Sequence, residues 1–122
     1  MEQYSLEDRM RIIQEIVPGK QITLAHIIAN PDKVLYQKLG LDPKIDYTKS
    51  AIGIVTMSPA ETAIIAGDIA LKESGIEIGF IDRFSGTLVV TGSISDVDAA
   101  LKALTSYCKE VLNFTICNIT RT

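Results

Sequence analysis

The sequence has no tryptophan, three phenylalanines, one histidine and two cysteines among its 122 residues. So few aromatics make an aromatic-lined ligand pocket an unexpected feature. The 18 isoleucines favour strands and flat packing faces instead. Cys108 and Cys117 stand nine apart, without CxxC spacing or a neighbouring histidine. Two free thiols serving as small core side chains are expected there, and no metal or redox pair. Nowhere does the chain approach the roughly 20 consecutive apolar residues of a membrane helix. Met1 to Arg11 is polar and mixed in charge, with neither the apolar stretch nor the small-residue cleavage site of a secretion signal. The chain is therefore expected to stay in the cytosol, where the Asn-x-Thr triplets at Asn113 and Asn118 have no glycan to carry. Charge of one sign is also missing: 12 basic against 15 acidic residues give −3. No net field draws such a chain onto nucleic acid or an anionic membrane, so neither is expected as a partner.

Catalytic groups are as sparse. His26, the lone side chain with an ordinary pKa near neutrality, sits in an apolar run with no Ser, Cys or carboxylate close by. It reads as a structural or interface histidine. Glu73 and Glu77 have no acid–base partner in sequence, and Asp96 and Asp98 fall where acidic residues complement a helix dipole. The eight glycines form neither a GxGxxG nor a P-loop pattern. No catalytic, cofactor-binding or metal-binding set is expected, and the chain does not read as an enzyme.

What is present is a single domain of ordinary size, large enough for its own core without staples. Lys20 to Ala29 reads as a strand stopped by Asn30-Pro31-Asp32. Lys33 to Leu39 makes two helical turns ended by Gly40, and Leu41 to Ser50 forms a loop. Ala51 to Met57 is an apolar strand. Ser58 as N-cap, Pro59 at the first helical position and Glu61 closing a capping box predict a helix from 59 to about 73, with Gly75 at its left-handed end. Strands at Ile76–Asp82 and Thr87–Ile94 follow, joined by Arg83-Phe84-Ser85-Gly86. Ser95 to Asp98 opens a last helix with the apolar stripe Val97, Leu101, Leu104, Cys108, Val111 and Leu112. Phe114 to Thr120 is a short strand or extended tail. The order β-α-β-β-α with strands before it predicts an α+β fold of split βαβ, ferredoxin-like character.

Some apolar residues have no obvious core to enter. In the helix at 59–73, Ala60, Ala63, Ile64, Gly67, Ala70 and Leu71 make one stripe, leaving Ile65 and Ile69 among Glu61, Asp68 and Lys72. Asp68 and Lys72 are spaced for an i,i+4 ion pair. Residues 1–9 read as a leader, and Arg11 to Val17 as a short apolar strand closed by Pro18-Gly19, an open edge unless something pairs with it.

The run Ala51-Ile52-Gly53-Ile54-Val55, the helix containing Ala66-Gly67-Asp68-Ile69-Ala70-Leu71-Lys72, Ile78-Gly79-Phe80, the Phe84-Ser85-Gly86 turn, Val89-Val90-Thr91-Gly92 and Val97-Asp98-Ala99-Ala100-Leu101 together resemble a bacterial microcompartment shell (BMC) domain. Leu24 to Pro31 and the short helix at 34–39 resemble that domain's C-terminal strand and helix moved to the front. This is the circularly permuted arrangement of the propanediol- and ethanolamine-utilisation shell proteins. The resemblance implies a leader with a barrel strand at 1–19 and a permuted BMC domain at 20–122. It implies a homohexamer that tiles with other shell proteins around encapsulated enzymes, and a structural function. Arg83, Phe84, Ser85 and Gly86 match the loop around the central pore, with Phe84 near a position often held by a small residue. Lys72, Asn30 and His26 match the hexamer edge, Asn30 standing where an arginine is usual. Arg11, Ile12, Ile13, Gln14, Glu15, Ile16 and Val17 match the strand that builds an axial β-barrel over the pore, and Ser50 in place of a glycine favours the flat hexamer. The alternative is an oligomeric ligand-binding regulator on a ferredoxin-like fold. A sizing experiment separates a hexameric shell protein from a stable monomer.

Overall fold

A computed structural model describes residues 19–48 and 50–122. The barrel strand expected at Arg11–Val17 lies outside the described residues. Among the described residues five strands and three helices follow one another as β1 (Gln21–Ile28), α1 (Lys33–Lys38), β2 (Ala51–Ser58), α2 (Thr62–Glu73), β3 (Glu77–Asp82), β4 (Thr87–Gly92), α3 (Ile94–Glu110) and β5 (Thr120–Arg121). The strands form one mixed sheet in the order β3-β4-β2-β1-β5. Its first three pairings are antiparallel and the last, β1 with β5, is parallel.

Both long helices cover one face. Gly53 on β2 leaves room there: a Cβ on it would stand 2.8 Å from Val97 Cγ1 and 3.0 Å from Leu101 Cδ1 of α3. Gly67 does the same for α2, where a Cβ would meet Ile81 Cδ1 of β3 at 2.9 Å. The core between helices and sheet is aliphatic, with Val55, Leu88, Val90, Val97, Leu101 and Leu104 fully enclosed. The segment after α1 reaches the other face, where Leu41 packs near Gly79 and Val89.

Several boundaries differ from the sequence expectation for identifiable reasons. Ser58 does not cap α2. It is the last residue of β2, paired with Gln21, and the Ser58–Pro59 peptide is cis. The helix begins at Thr62 instead, and the amides of Thr62, Ala63 and Ile64 bond the carbonyls of Pro59, Ala60 and Glu61. Gly75 is not left-handed, because Ser74 leaves the helix in an extended conformation. The last helix starts earlier than expected, with Ser93 as N-cap accepting from the Asp96 amide at 3.1 Å. Along α2 the buried stripe is narrower than the sequence suggested. Ala63, Ala66, Gly67 and Ala70 are buried, whereas Ile64 and Leu71 are each 51% exposed. Ile65 is exposed as expected, but Ile69 packs against the core. On α3, Val97, Leu101, Leu104 and Cys108 are buried, while Val111 is exposed beyond the helix end. Asn113 takes φ 61°, a conformation asparagine tolerates, and returns Phe114 to the core.

Candidate assembly surfaces

The turn Arg83–Gly86 is braced from both sides. The Asp82 carboxylate accepts the Phe84 amide at 2.9 Å, the Ser85 amide at 3.3 Å and the Ser85 hydroxyl at 2.8 Å. These donors, the Phe84 amide first, hold the Asp82 carboxyl below the usual carboxylate range. The Gly86 amide bonds Asp82 O at 2.9 Å, and Gly86 O accepts from the Met57 amide at 2.8 Å. Gly86 lies at φ +78°, and a Cβ there would stand 2.1 Å from Met57 O, so only glycine fits. The result is that Phe84 projects into solvent, 82% exposed, with the Arg83 guanidinium 5.0 Å from its ring centroid. Ile64 and Ile81 line a shallow hollow beside it.

Lys72 lies on the exposed side of α2, paired with Asp68 at 2.8 Å as the spacing predicted. The Asp68 hydrogen bond and charge raise the Lys72 pKa. Exposed Leu71 of α2 and Tyr107 of α3 are also on this pair of helices, and exposed Val111 follows just past the end of α3. Asn30 is exposed at the end of β1 and borders an open groove of about 1200 Å³ between α1 and the 41–48 loop. That groove contains a feature the sequence analysis missed, Tyr36 and Tyr47 stacked at 4.8 Å. Burial raises the pKa of both phenols.

His26 is engaged within its own chain. Its Nδ1 lies 2.6 Å from Thr120 Oγ1 and its Nε2 2.9 Å from Thr122 Oγ1. The Thr120 hydroxyl also donates to Ala25 O, which leaves its oxygen free to accept from Nδ1–H. The histidine thus ties the C-terminal strand to β1. Asp98, one of the paired acids at the start of α3, neutralises Lys102 at 2.8 Å and lies 3.6 Å from Arg121. Cys108 is buried and Cys117 half-buried, both free, and burial pushes the Cys108 thiol pKa up. The structure therefore places Lys72 with the α2–α3 surface, Asn30 and His26 at the β1 side, and the turn at one end of the sheet. It does not bring the three edge residues into one cluster.

Residues 51–120 match the BMC domain family. Over its full length the chain is 55% identical to "Bacterial microcompartment shell protein PduU" of Salmonella typhimurium, covering 100% of both. It is 51% identical over 114 residues to "Bacterial microcompartment shell protein EutS" of Escherichia coli K12, covering 93% of this chain and 98% of that one. Among solved structures it superposes on "CutR flat hexamer, form 1" with a TM-score of 0.79 and 40% identity, over 100% of this chain and 98% of that one. On sequence match and superposition alike, the chain belongs to the BMC domain family.

Proposed function

We propose that the chain is a circularly permuted shell protein of a bacterial microcompartment, assembling as a homohexamer that tiles with other shell proteins. Its work is structural, not enzymatic, and its place is the compartment shell within the bacterial cytoplasm. The relatives are all named as shell proteins, which favours this reading and gives no support to a ligand-binding regulator.

The sheet order carries the permutation. In a β-α-β-β-α-β unit of ferredoxin type the sixth element returns beside the first strand. Here the place beside β2 belongs to β1, which comes earliest among the described strands, and the family match starts only at residue 51. The register supports the axial reading. The leader leaves at Gly19–Lys20, where Gln21 pairs with Ser58, and the neighbouring Met57 amide bonds Gly86 O. Leader exit and the Arg83–Gly86 turn thus share one end of the sheet. From there a barrel of Arg11–Val17 strands, one from each copy, closes over the pore and leaves no strand edge open. Lys72, Asn30 and His26 serve the outer edge in this arrangement, and encapsulated enzymes face the inner side.

Light scattering on the eluting peak tests assembly: a mass near six times 13.3 kDa supports it and a stable monomer refutes it. The variant Lys72→Ala should keep the hexamer and lose extended sheets in electron micrographs. Sheets of unchanged extent remove Lys72 from the edge.

A further inference from the structure

We propose that residues 30–48 form a lid over the helix-free face of the sheet, hinged at the end of β1 and the start of β2 and latched by Tyr36, and that this lid opens as a unit while the sheet stays folded.

β1 and β2 are directly paired antiparallel neighbours, Ile28 standing opposite Ile52. Such a pair needs only about 2–5 residues of turn, yet the chain runs from 29 to 50 before it re-enters the sheet. The extra length crosses the face that the long helices leave open. Gly53, Val55, Leu88 and Val90 point at the helices, so Ile52, Val89 and Thr91, which alternate with them along β2 and β4, point the other way. All three are nevertheless buried, and Leu41, also buried, reaches Gly79 beside Val89. Leu41, Ile52 and Val89 stand apart from the main core cluster, as a small second core beneath a long connection.

The hold on this segment is concentrated in few residues. No Cα of another described helix or strand lies within 8 Å of an α1 Cα, and no α1 residue is buried. Tyr36 makes the connection instead. Its ring stacks on Tyr47 at 4.8 Å and 8°, and its hydroxyl donates to Ser50 O at 2.5 Å, just ahead of β2. Between α1 and the 41–48 segment lies the open groove of about 1200 Å³. One aromatic stack, one side-chain hydrogen bond and one small apolar cluster are a slight hold beside the hydrogen-bonded ladders of β1, β2 and β4, so the lid opens at lower cost than the sheet beneath it.

Hydrogen–deuterium exchange on the full chain in its native assembly, read by peptide mass, tests the lid. The Leu39, Gly40, Leu41 and Ile45 amides, all bonded within the segment, are the reporters. Peptides from α1 and from 41–48 should exchange together and ahead of those from β2 and β4. Tyr36→Phe keeps the stack and removes the bond to Ser50 O, so it should speed exchange across the whole of 30–48 by roughly twofold to tenfold and leave β2 and β4 unchanged. Tyr47→Leu, which removes the stack, should do the same. Unchanged exchange in the Tyr36→Phe chain overturns the latch. Faster exchange in α1 alone overturns the unit. Equal acceleration of β2 and β4 overturns the lid, since the segment would then open only with the whole fold. As a second measurement, Val89→Cys should be labelled by a small thiol reagent, read on the peptide carrying position 89, at a rate that Tyr36→Phe raises by the same factor. A rate that Tyr36→Phe leaves unchanged overturns the lid, because nothing over Val89 would then be moving with Tyr36.

Discussion

Replacing Gly86 with alanine imposes two separate costs, and Gly40 offers the control that divides them. Both glycines have positive φ, +78° and +70°, but a Cβ on Gly40 would meet nothing within 4 Å. Gly40→Ala should therefore cost only the left-handed conformation, about 1–2 kcal/mol. At Gly86 the Cβ would stand 2.1 Å from Met57 O and 3.0 Å from Ala60 Cα, both backbone atoms that cannot rotate away. Relief requires β2 and the turn to part, which strains or breaks the 2.8 Å bond from the Met57 amide to Gly86 O. A lost hydrogen bond adds about 0.5–1.5 kcal/mol and the backbone displacement about 1–3 kcal/mol. The sum for Gly86→Ala is roughly 2.5–6.5 kcal/mol. Urea unfolding followed by circular dichroism, at one fixed protein concentration because assembly contributes to stability, measures both variants. Costs within about 1 kcal/mol of each other would show that the turn yields, and the claim that Gly86 locks it would fail.

Two further perturbations probe the same architecture. The native Asp82 pKa is depressed by the Phe84 amide, the Ser85 hydroxyl and the Ser85 amide, so its bracing is complete above the unfolded value of about 3.9 and is lost as pH falls through the lower native one. Exchange protection of the Phe84 and Ser85 amides should hold from neutral pH down to about 4 and fade only below it; loss already near pH 6 would contradict this. His26→Ala removes two side-chain bonds to Thr120 and Thr122 and should loosen the C-terminal strand by about 1–2 kcal/mol, seen as faster exchange at the Ala29 and Thr122 amides. Unchanged exchange would mean that the backbone ladder alone holds that strand.

Elements whose stabilising contacts are near in sequence were legible before any coordinates. The α3 stripe, the Asp68–Lys72 pair, the stop at Asn30-Pro31-Asp32 and the Arg83–Gly86 connection all depend on residues a few positions apart. Where distant partners decide, sequence reasoning misled. Ser58-Pro59-Ala60-Glu61 carries a strong helix-start pattern, but pairing with Gln21 holds Ser58 in the sheet. Ile64 and Leu71 match helical spacing with Ala63 and Gly67, yet the close approach of α2 to β3 admits only the small members of that set. The parallel β5 and its tie to His26 join residues over ninety positions apart and leave no local trace. Within the candidate site the turn was found but its brace was not. An aspartate just ahead of a serine-containing turn is an Asx-type signal that could have identified Asp82.

The narrow stripe of Ala63, Ala66, Gly67 and Ala70 has a thermodynamic consequence. Helix α2 leaves part of its apolar surface uncovered when a single chain folds, because its larger side chains Ile64, Ile65 and Leu71 stay about half exposed. An association that covered these side chains would add to the hydrophobic driving force, and mass action would then enter the stability of the fold itself. Copies that find neighbours gain from it, whereas surplus copies remain the weaker form and open more often to proteases.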